Sequence, residues 1–251
     1  MKVHRSNFTV SGFTAEVSVA DLASLAHKHG TRLVYDAGSG ALFPFAELGL
    51  PAEPTLGEDV ATGADLITCS GDKLLGGCQA GIILGSRREV AGLRAHPMRR
   101  AFRVDKTTLA ALDAVLTLYL EAEDVPALPT LELLARPVED LERAAADLAA
   151  ELRPDAPPGW TASTVAEVAR VGGGSFSEAE VPTRLLFWEA PREQLERAHQ
   201  LLRDGDPAVV ARISQQGLGF DLRSLGPQEY PLLTQAMRAA WSRLETHADE
   251  D

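Results

Sequence analysis

Across residues 1–120, short apolar runs alternate with stretches of helical period. That alternation constrains the fold more tightly than any other feature, because strands joined through helices build a largely parallel α/β sheet. "SVADLASLAHKHG" opens with Ser18, places Asp21 three residues on as in a capping box, and stops at Gly30. "RLVYDAGSG" reads as a strand with a glycine-rich exit, "GEDVATGA" as a short helix, and "DLITCS" and "AGIILGS" as strands. "SRREVAGLRAH" opens with Ser86 and Glu89, a second capping box, and "DKTTLAALDAVLTLYLEAE" carries a long helical pattern.

Composition changes at residues 124–137, "DVPALPTLELLARP", which are rich in proline. This segment marks a boundary between an α/β domain over residues 1–123 and a linker plus small domain over residues 124–251. Beyond it come the helix "VEDLERAAADLAAEL", β segments around "STVAEVARVGGGS" and "TRLLFWEA", and the helix "PREQLERAHQLLRDG". Further β structure in "AVVARISQQGLGFDLRSL" and a closing helix from about Pro227 to Leu244 complete a small α+β domain. Trp160, Trp188 and Trp241 are expected in the core or at an interface, and the tail "ADED" is expected to fray.

Charge and cysteine usage narrow the function classes. The 251 residues carry a formal net charge of −12, which opposes non-specific nucleic-acid binding. The nearest thing to a basic patch is "RAHPMRRAFR". No apolar run approaches the ~20 residues of a membrane span, and no basic-then-apolar leader opens the sequence. Cys69 and Cys78, without secretory signals, point to reduced thiols in a cytoplasmic protein, and no further ligand stands near them for a metal.

Those cysteines flank "SGDKLLGG", a strand-to-strand turn in which Lys73 sits among small and apolar residues. A lysine in such a setting must be paired, shifted in pKa or covalently modified. Pyridoxal-phosphate enzymes use such a lysine to hold the cofactor as an imine, with an acid at a strand end against the pyridinium nitrogen. Asp36 in "LVYDAGSG" is a suitable acid, one helix and one strand away, so both groups can lie at one edge of a parallel sheet. Ser70 stands three residues before the lysine, within reach of a cofactor phosphate, and Gly76 and Gly77 offer backbone N–H groups. By pattern alone, a lysine capping a turn and an aspartate in a strand–helix loop explain the same residues.

"SGDKLLGGCQAGIILG" closely resembles the lysine segment of the bacterial selenocysteine synthases, the L-seryl-tRNA(Sec) selenium transferase family of fold-type I pyridoxal-phosphate enzymes. "KVHRSNFTVSGFT", "DAGSGAL", "GLPAEPTLGEDVATGADLIT", "HPMRRAFRVDKTTLAAL", "PTLELL" and "VGGGS" resemble family segments in family order, so the resemblance covers most of the chain. Cys69 and Cys78 depart from it, standing where an aromatic residue and a proline are expected.

The resemblance implies the C-terminal part of a fold-type I large domain followed by a small α+β domain. It implies that Lys73 carries pyridoxal 5′-phosphate, that Asp36 faces its ring nitrogen, and that Arg100 and Arg103 bind selenophosphate. Arginine forks suit such a polyanion; a solvated basic turn explains Arg94, and Arg99 fits either reading. Asp72 would assist proton transfer to the leaving hydroxyl, or simply shape the turn. The implied activity converts seryl-tRNA(Sec) to selenocysteinyl-tRNA(Sec) through an aminoacrylyl intermediate, in a homo-oligomer. Two other readings stand beside it: a lyase acting on a small amino acid or amino sugar without tRNA, and an inactive fragment lacking a longer N-terminal part. His4, Ser6 and Asn7 lie on a segment the family places near its site, whereas His27 and His29 are expected to cap helix carbonyls. "GGG" at 172–174 lacks a following Lys-Ser/Thr pair and reads as a turn.

Overall fold

The computed structural model describes residues 1–5, 10, 12–50, 52–122, 127–171 and 180–248. The chain forms two compact units, Met1–Ala135 with Arg170–Glu180, and Arg136–Ala169 with Val181–Asp251. The first contains a four-stranded sheet in the order β1-β2-β3-β4, from Lys2–Val3, Val34–Gly38, Leu66–Ser70 and Gly81–Gly85. The first three strands run parallel, as the alternation of elements requires. "AGIILGS" departs from that pattern, because β4 pairs antiparallel with β3 from Leu66↔Gly85 to Ser70↔Gly81. The glycine turn between them leads straight back, whereas a parallel return needs a crossover of a dozen or more residues.

Helix α1 (Val19–Lys28) starts where Ser18 Oγ accepts from Asp21 N at 3.0 Å. Helix α2 (Leu56–Ala61) begins one residue before "GEDVATGA" and carries a full reciprocal box, Thr55 with Glu58. At α3 (Arg87–Ala95) only half of the expected box forms: Ser86 Oγ accepts from Glu89 N, while the Glu89 carboxylate pairs with Arg32 and Arg88. The one-turn helix α4 (Arg99–Phe102), α5 (Lys106–Glu121) and α6 (Pro129–Ala135) complete this unit. The division at Ala135/Arg136 falls after α6, later than the boundary read from composition at residue 124. Leu128 and Leu131, on the proline-rich segment, are buried, and Leu128 lies against Gly76 of the lysine turn. Apolar burial therefore holds this stretch in the first unit.

The second unit contains α7 (Val138–Leu152), β5 (Thr161–Arg170), β6 (Glu180–Glu189), α8 (Arg192–Arg203), β7 (Arg212–Ile213), β8 (Gly217–Asp221) and α9 (Tyr230–Ala248). Its sheet runs β5-β6-β8-β7, and β8 pairs antiparallel with both β6 and β7. The closing helix starts after a 3-10 turn at Pro227–Glu229 and continues to Ala248, beyond the expected Leu244. Its core joins Leu141, Leu148 and Leu152 of α7, Leu186 and Trp188 of β6, Leu195 and Leu202 of α8, and Met237 and Trp241 of α9. Trp241 meets Trp160 and Trp188 edge to face, with ring centroids 5.6 and 4.9 Å away. The three tryptophans are core residues. Among the described residues, no helix is long and apolar enough to cross a membrane.

Candidate functional site

The parallel register of β2 and β3 sets Asp36 beside Thr68, and Thr68 Oγ1 donates to Asp36 Oδ1 at 2.9 Å. Among the described residues, the other oxygen, Oδ2, has no partner, so the carboxylate is oriented with one acceptor open. The next residue along β3, Cys69, is buried; burial, with the Asp36 and Asp59 carboxylates nearby, pushes its thiol up to about 11. It therefore remains a neutral packing residue at ordinary pH. Cys78 is also a free thiol, and its Sγ donates to the Thr108 carbonyl at 3.5 Å.

Beyond Ser70, β3 gives way to the lysine turn, which backbone bonds close tightly. Gly71 N donates to Ala80 O at 2.9 Å, Gly77 N to Gly71 O at 2.8 Å, and Gly76 N to Lys73 O at 2.9 Å. The glycines are required sterically: a Cβ on Gly71 would lie 2.7 Å from Cys78 O, and one on Gly77 would lie 2.9 Å from Gly71 O. Leu74 and Leu75 are buried beneath the turn, and Tyr119 Oη donates to Leu75 O at 3.0 Å. Leu74 N donates to Ser39 O at 3.0 Å, which fastens the turn to the loop leaving the Asp36 strand. Asp36 and Lys73 thus share the C-terminal edge of the parallel strands, where α/β sheets place ligands.

Lys73 is half-buried, and among the described residues its ammonium has neither ion pair nor hydrogen bond. Ser70 Oγ donates to Asp72 Oδ1, and Asp72 is exposed. The residues fit pyridoxal phosphate in two respects: an unpaired lysine, and a carboxylate fixed at one oxygen and open at the other.

Arg100 and Arg103 lie elsewhere in the same unit. With Arg94, His96, Pro97 and Arg99 they line an open basin of about 470 Å³. None of Asp36, Ser70, Asp72 or Lys73 lines it. Ser6, Asn7 and residues 172–174 lie outside the described residues.

One part of the lysine edge carries no signal in the sequence. Glu53, whose side chain is only 9% exposed, pairs with His4 Nε2 at 3.3 Å and accepts from Ser39 Oγ at 2.8 Å. His4 N donates in turn to Asp36 O at 2.8 Å. His4 and Glu53 thus brace both the Asp36 strand and the Ser39 loop that anchors the lysine turn. The hydrogen bond to Glu53 raises the His4 pKa, although burial opposes it. Asp59, 4% exposed, is pushed up to about 6, chiefly by burial, with Glu53 adding and His4 opposing. Glu53 itself is an isolated acid between two prolines in "PAEPT", which carries no functional pattern. His27 also differs from expectation: it pairs with Asp65 at 3.1 Å instead of capping a carbonyl, because Asp65 is already held there by Leu33 N. His29 is the C-cap of α1 through its backbone N–H.

The family model for SelA, L-seryl-tRNA selenium transferase, matches residues 1–226. An L-seryl-tRNA(Sec) selenium transferase of Solidesulfovibrio magneticus is 42% identical over 245 residues, covering 96% of this chain and 52% of the relative. One of Geobacter metallireducens is 40% identical over 238 residues, covering 94% of this chain and 52% of the relative. The chain therefore spans about half the length of the curated relatives it matches. Among solved structures, a D-glucosaminate-6-phosphate ammonia-lyase superposes with a TM-score of 0.59 at 18% identity, covering 96% of this chain and 56% of the other. That likeness bears on the fold alone, which is the fold-type I architecture of pyridoxal-phosphate enzymes. With nine-tenths of its length matched by one family model, the chain belongs to the L-seryl-tRNA selenium transferase family.

Proposed function

We propose that this chain is the lysine-bearing part of a pyridoxal-phosphate enzyme that converts seryl-tRNA(Sec) to selenocysteinyl-tRNA(Sec) with selenophosphate. The observation that carries the reading is the sheet edge itself, where a turn bearing the unpaired Lys73 is fastened through Leu74 N to Ser39 O of the loop leaving Asp36. Family membership supports it.

When bound, the cofactor supplies an electron sink for charge developing at the seryl Cα. Lys73 Nζ would be the amine that holds it and, once displaced by the seryl amine, the base that takes the Cα proton and returns it. Asp36 Oδ2 would accept from the ring N–H, with Thr68 keeping that carboxylate in orientation. Ser70 would turn its hydroxyl from Asp72 to the cofactor phosphate when the cofactor is bound. Asp72, exposed beside Lys73 on the turn, would assist proton transfer to the leaving seryl oxygen. Arg100 and Arg103 grip the selenium donor through their guanidinium forks. Because their basin shares no lining residue with the lysine edge, we further propose a homo-oligomer in which one copy's basin faces another copy's lysine.

The test is borohydride reduction of the chain mixed with pyridoxal phosphate, followed by peptide mass spectrometry. The cofactor mass is expected on the peptide containing Lys73, with loss of the visible absorbance band in Lys73→Ala. Label on other lysines, or an unchanged band in Lys73→Ala, refutes the assignment. A serine-to-selenocysteine conversion assay with labelled selenium then separates the reading from a lyase, since turnover of a small amino acid without tRNA would favour the latter.

A further inference from the structure

Residues 90–104 hold four arginines and one histidine but no acid, in a chain whose net charge is −12. The structure gathers Arg94, His96, Arg99, Arg100 and Arg103 around one open basin. All five are exposed, and among the described residues none has a carboxylate partner. Elsewhere on the chain, Arg32, Arg184, Arg212 and Arg238 each meet an acid. Four guanidinium groups held together without counter-charge repel one another, and an anion in the basin would relieve that repulsion.

Two hydrogen bonds tie the Arg94, His96 and Arg99 side of the basin together. Arg99 Nη1 donates to the Arg94 carbonyl at 3.4 Å, which ties α4 back to the end of α3. Met98 N donates to His96 Nδ1 at 3.2 Å. That bond makes Nδ1 the acceptor, so Nε2 carries the proton and remains a donor even in the neutral ring. About 470 Å³ is several times what one tetrahedral oxyanion fills.

We propose that the basin has two anion subsites: Arg100 and Arg103 take the small donor anion, while Arg94, His96 and Arg99 take a backbone phosphate at the single-stranded end of a polynucleotide. This rests on the reading that the substrate is an aminoacylated tRNA, whose acceptor end is such a strand. The acidic remainder of the chain repels a polyanion, so a basic basin is where an incoming strand can settle.

The test uses the full 251-residue chain and two probes: a short fluorescein-labelled single-stranded RNA ending in CCA, and inorganic phosphate. By fluorescence anisotropy, Arg94→Gln/Arg99→Gln is expected to weaken RNA binding about tenfold. It should also flatten the plot of log affinity against log salt by about 1.4, or about 0.7 for each lost single-strand contact. Phosphate affinity, followed by phosphorus NMR, should stay within about twofold in that variant and fall at least tenfold in Arg100→Gln/Arg103→Gln. Absent RNA binding by the parent chain, or unchanged RNA affinity and slope in Arg94→Gln/Arg99→Gln, overturns the proposal. Equal loss of phosphate affinity in both variants also overturns it, by showing one site for a free anion. Hydrogen exchange of α3 and α5 verifies that each variant is folded. Labelling of Lys73 by borohydride is independent of every arm, so failure here is separable from failure of the cofactor assignment.

Discussion

Gly40→Ala tests whether the loop after the Asp36 strand and the end of β3 form one rigid support for Lys73. Gly40 has φ of +71°, and a Cβ there would lie 2.6 Å from the carbonyl oxygen of Ser70. The left-handed conformation alone costs an L-residue about 1–2 kcal/mol. Contact with a strand carbonyl adds strain on the order of 1–3 kcal/mol, because the obstructing atom is backbone and cannot rotate away. Gly30→Ala provides the control: its φ is +64°, yet nothing lies within 4 Å of the added Cβ. The control should lose about 1–2 kcal/mol and Gly40→Ala about 2–5 kcal/mol, the difference being the steric part. Tryptophan fluorescence is the wrong probe, since Trp160, Trp188 and Trp241 all belong to the second unit. Native-state hydrogen exchange of peptides spanning residues 66–85 reports the first unit directly. Each 1.4 kcal/mol appears as about a tenfold loss of protection. Equal loss in the two variants would show that the Ser70 carbonyl yields without cost, and that the loop and β3 are not one rigid support.

Asp59→Asn should flatten the pH dependence of first-unit protection between pH 4 and about 6 and stabilise this unit at pH 8. The folded Asp59 pKa is raised from 3.8 to about 6, so the parent loses stability as pH climbs through that window. Urea titrations of both proteins across that range check it, and parallel curves would contradict the burial argument. His4 acts with the same sign at higher pH, since its raised pKa gives stability that is full below 6.5 and lost as pH passes the folded value. His4→Gln should remove that component from the titration of exchange protection at residues 34–39. In the second unit, Trp241→Ala removes a ring packed on both other tryptophans and should cost about 3–5 kcal/mol by urea denaturation followed by fluorescence. Lys73 labelling by borohydride should survive in this variant, since Lys73 and Trp241 belong to different units.

The lysine edge was legible because its local chemistry is unusual. A lysine within "SGDKLLGG", and an acid ending an apolar strand one βα unit earlier, stand out without knowledge of contacts. Glu53 was invisible, since its partners His4 and Ser39 are distant in sequence and a lone acid in a loop has no pattern. His27 was misread for the same reason, because Asp65 reaches it from the far side of β2 in the chain order. The segment around Leu128 looked like a linker by its prolines, although burial places it in the first unit.

Local order determined β2 and β3, the longer helices, the Ser18 cap and the residue types at the lysine turn. These follow from periodicity, from hydrogen-bonding side chains at helix starts, and from the absence of Cβ atoms at glycine, all properties of neighbouring residues. Tertiary structure alone decided the antiparallel return of β4, the His4–Glu53 brace, the buried Asp59 and the gathering of five basic residues around one basin. Each of these depends on desolvation or charge shared between segments far apart in the chain, and those energies exist only once folding has brought the segments together.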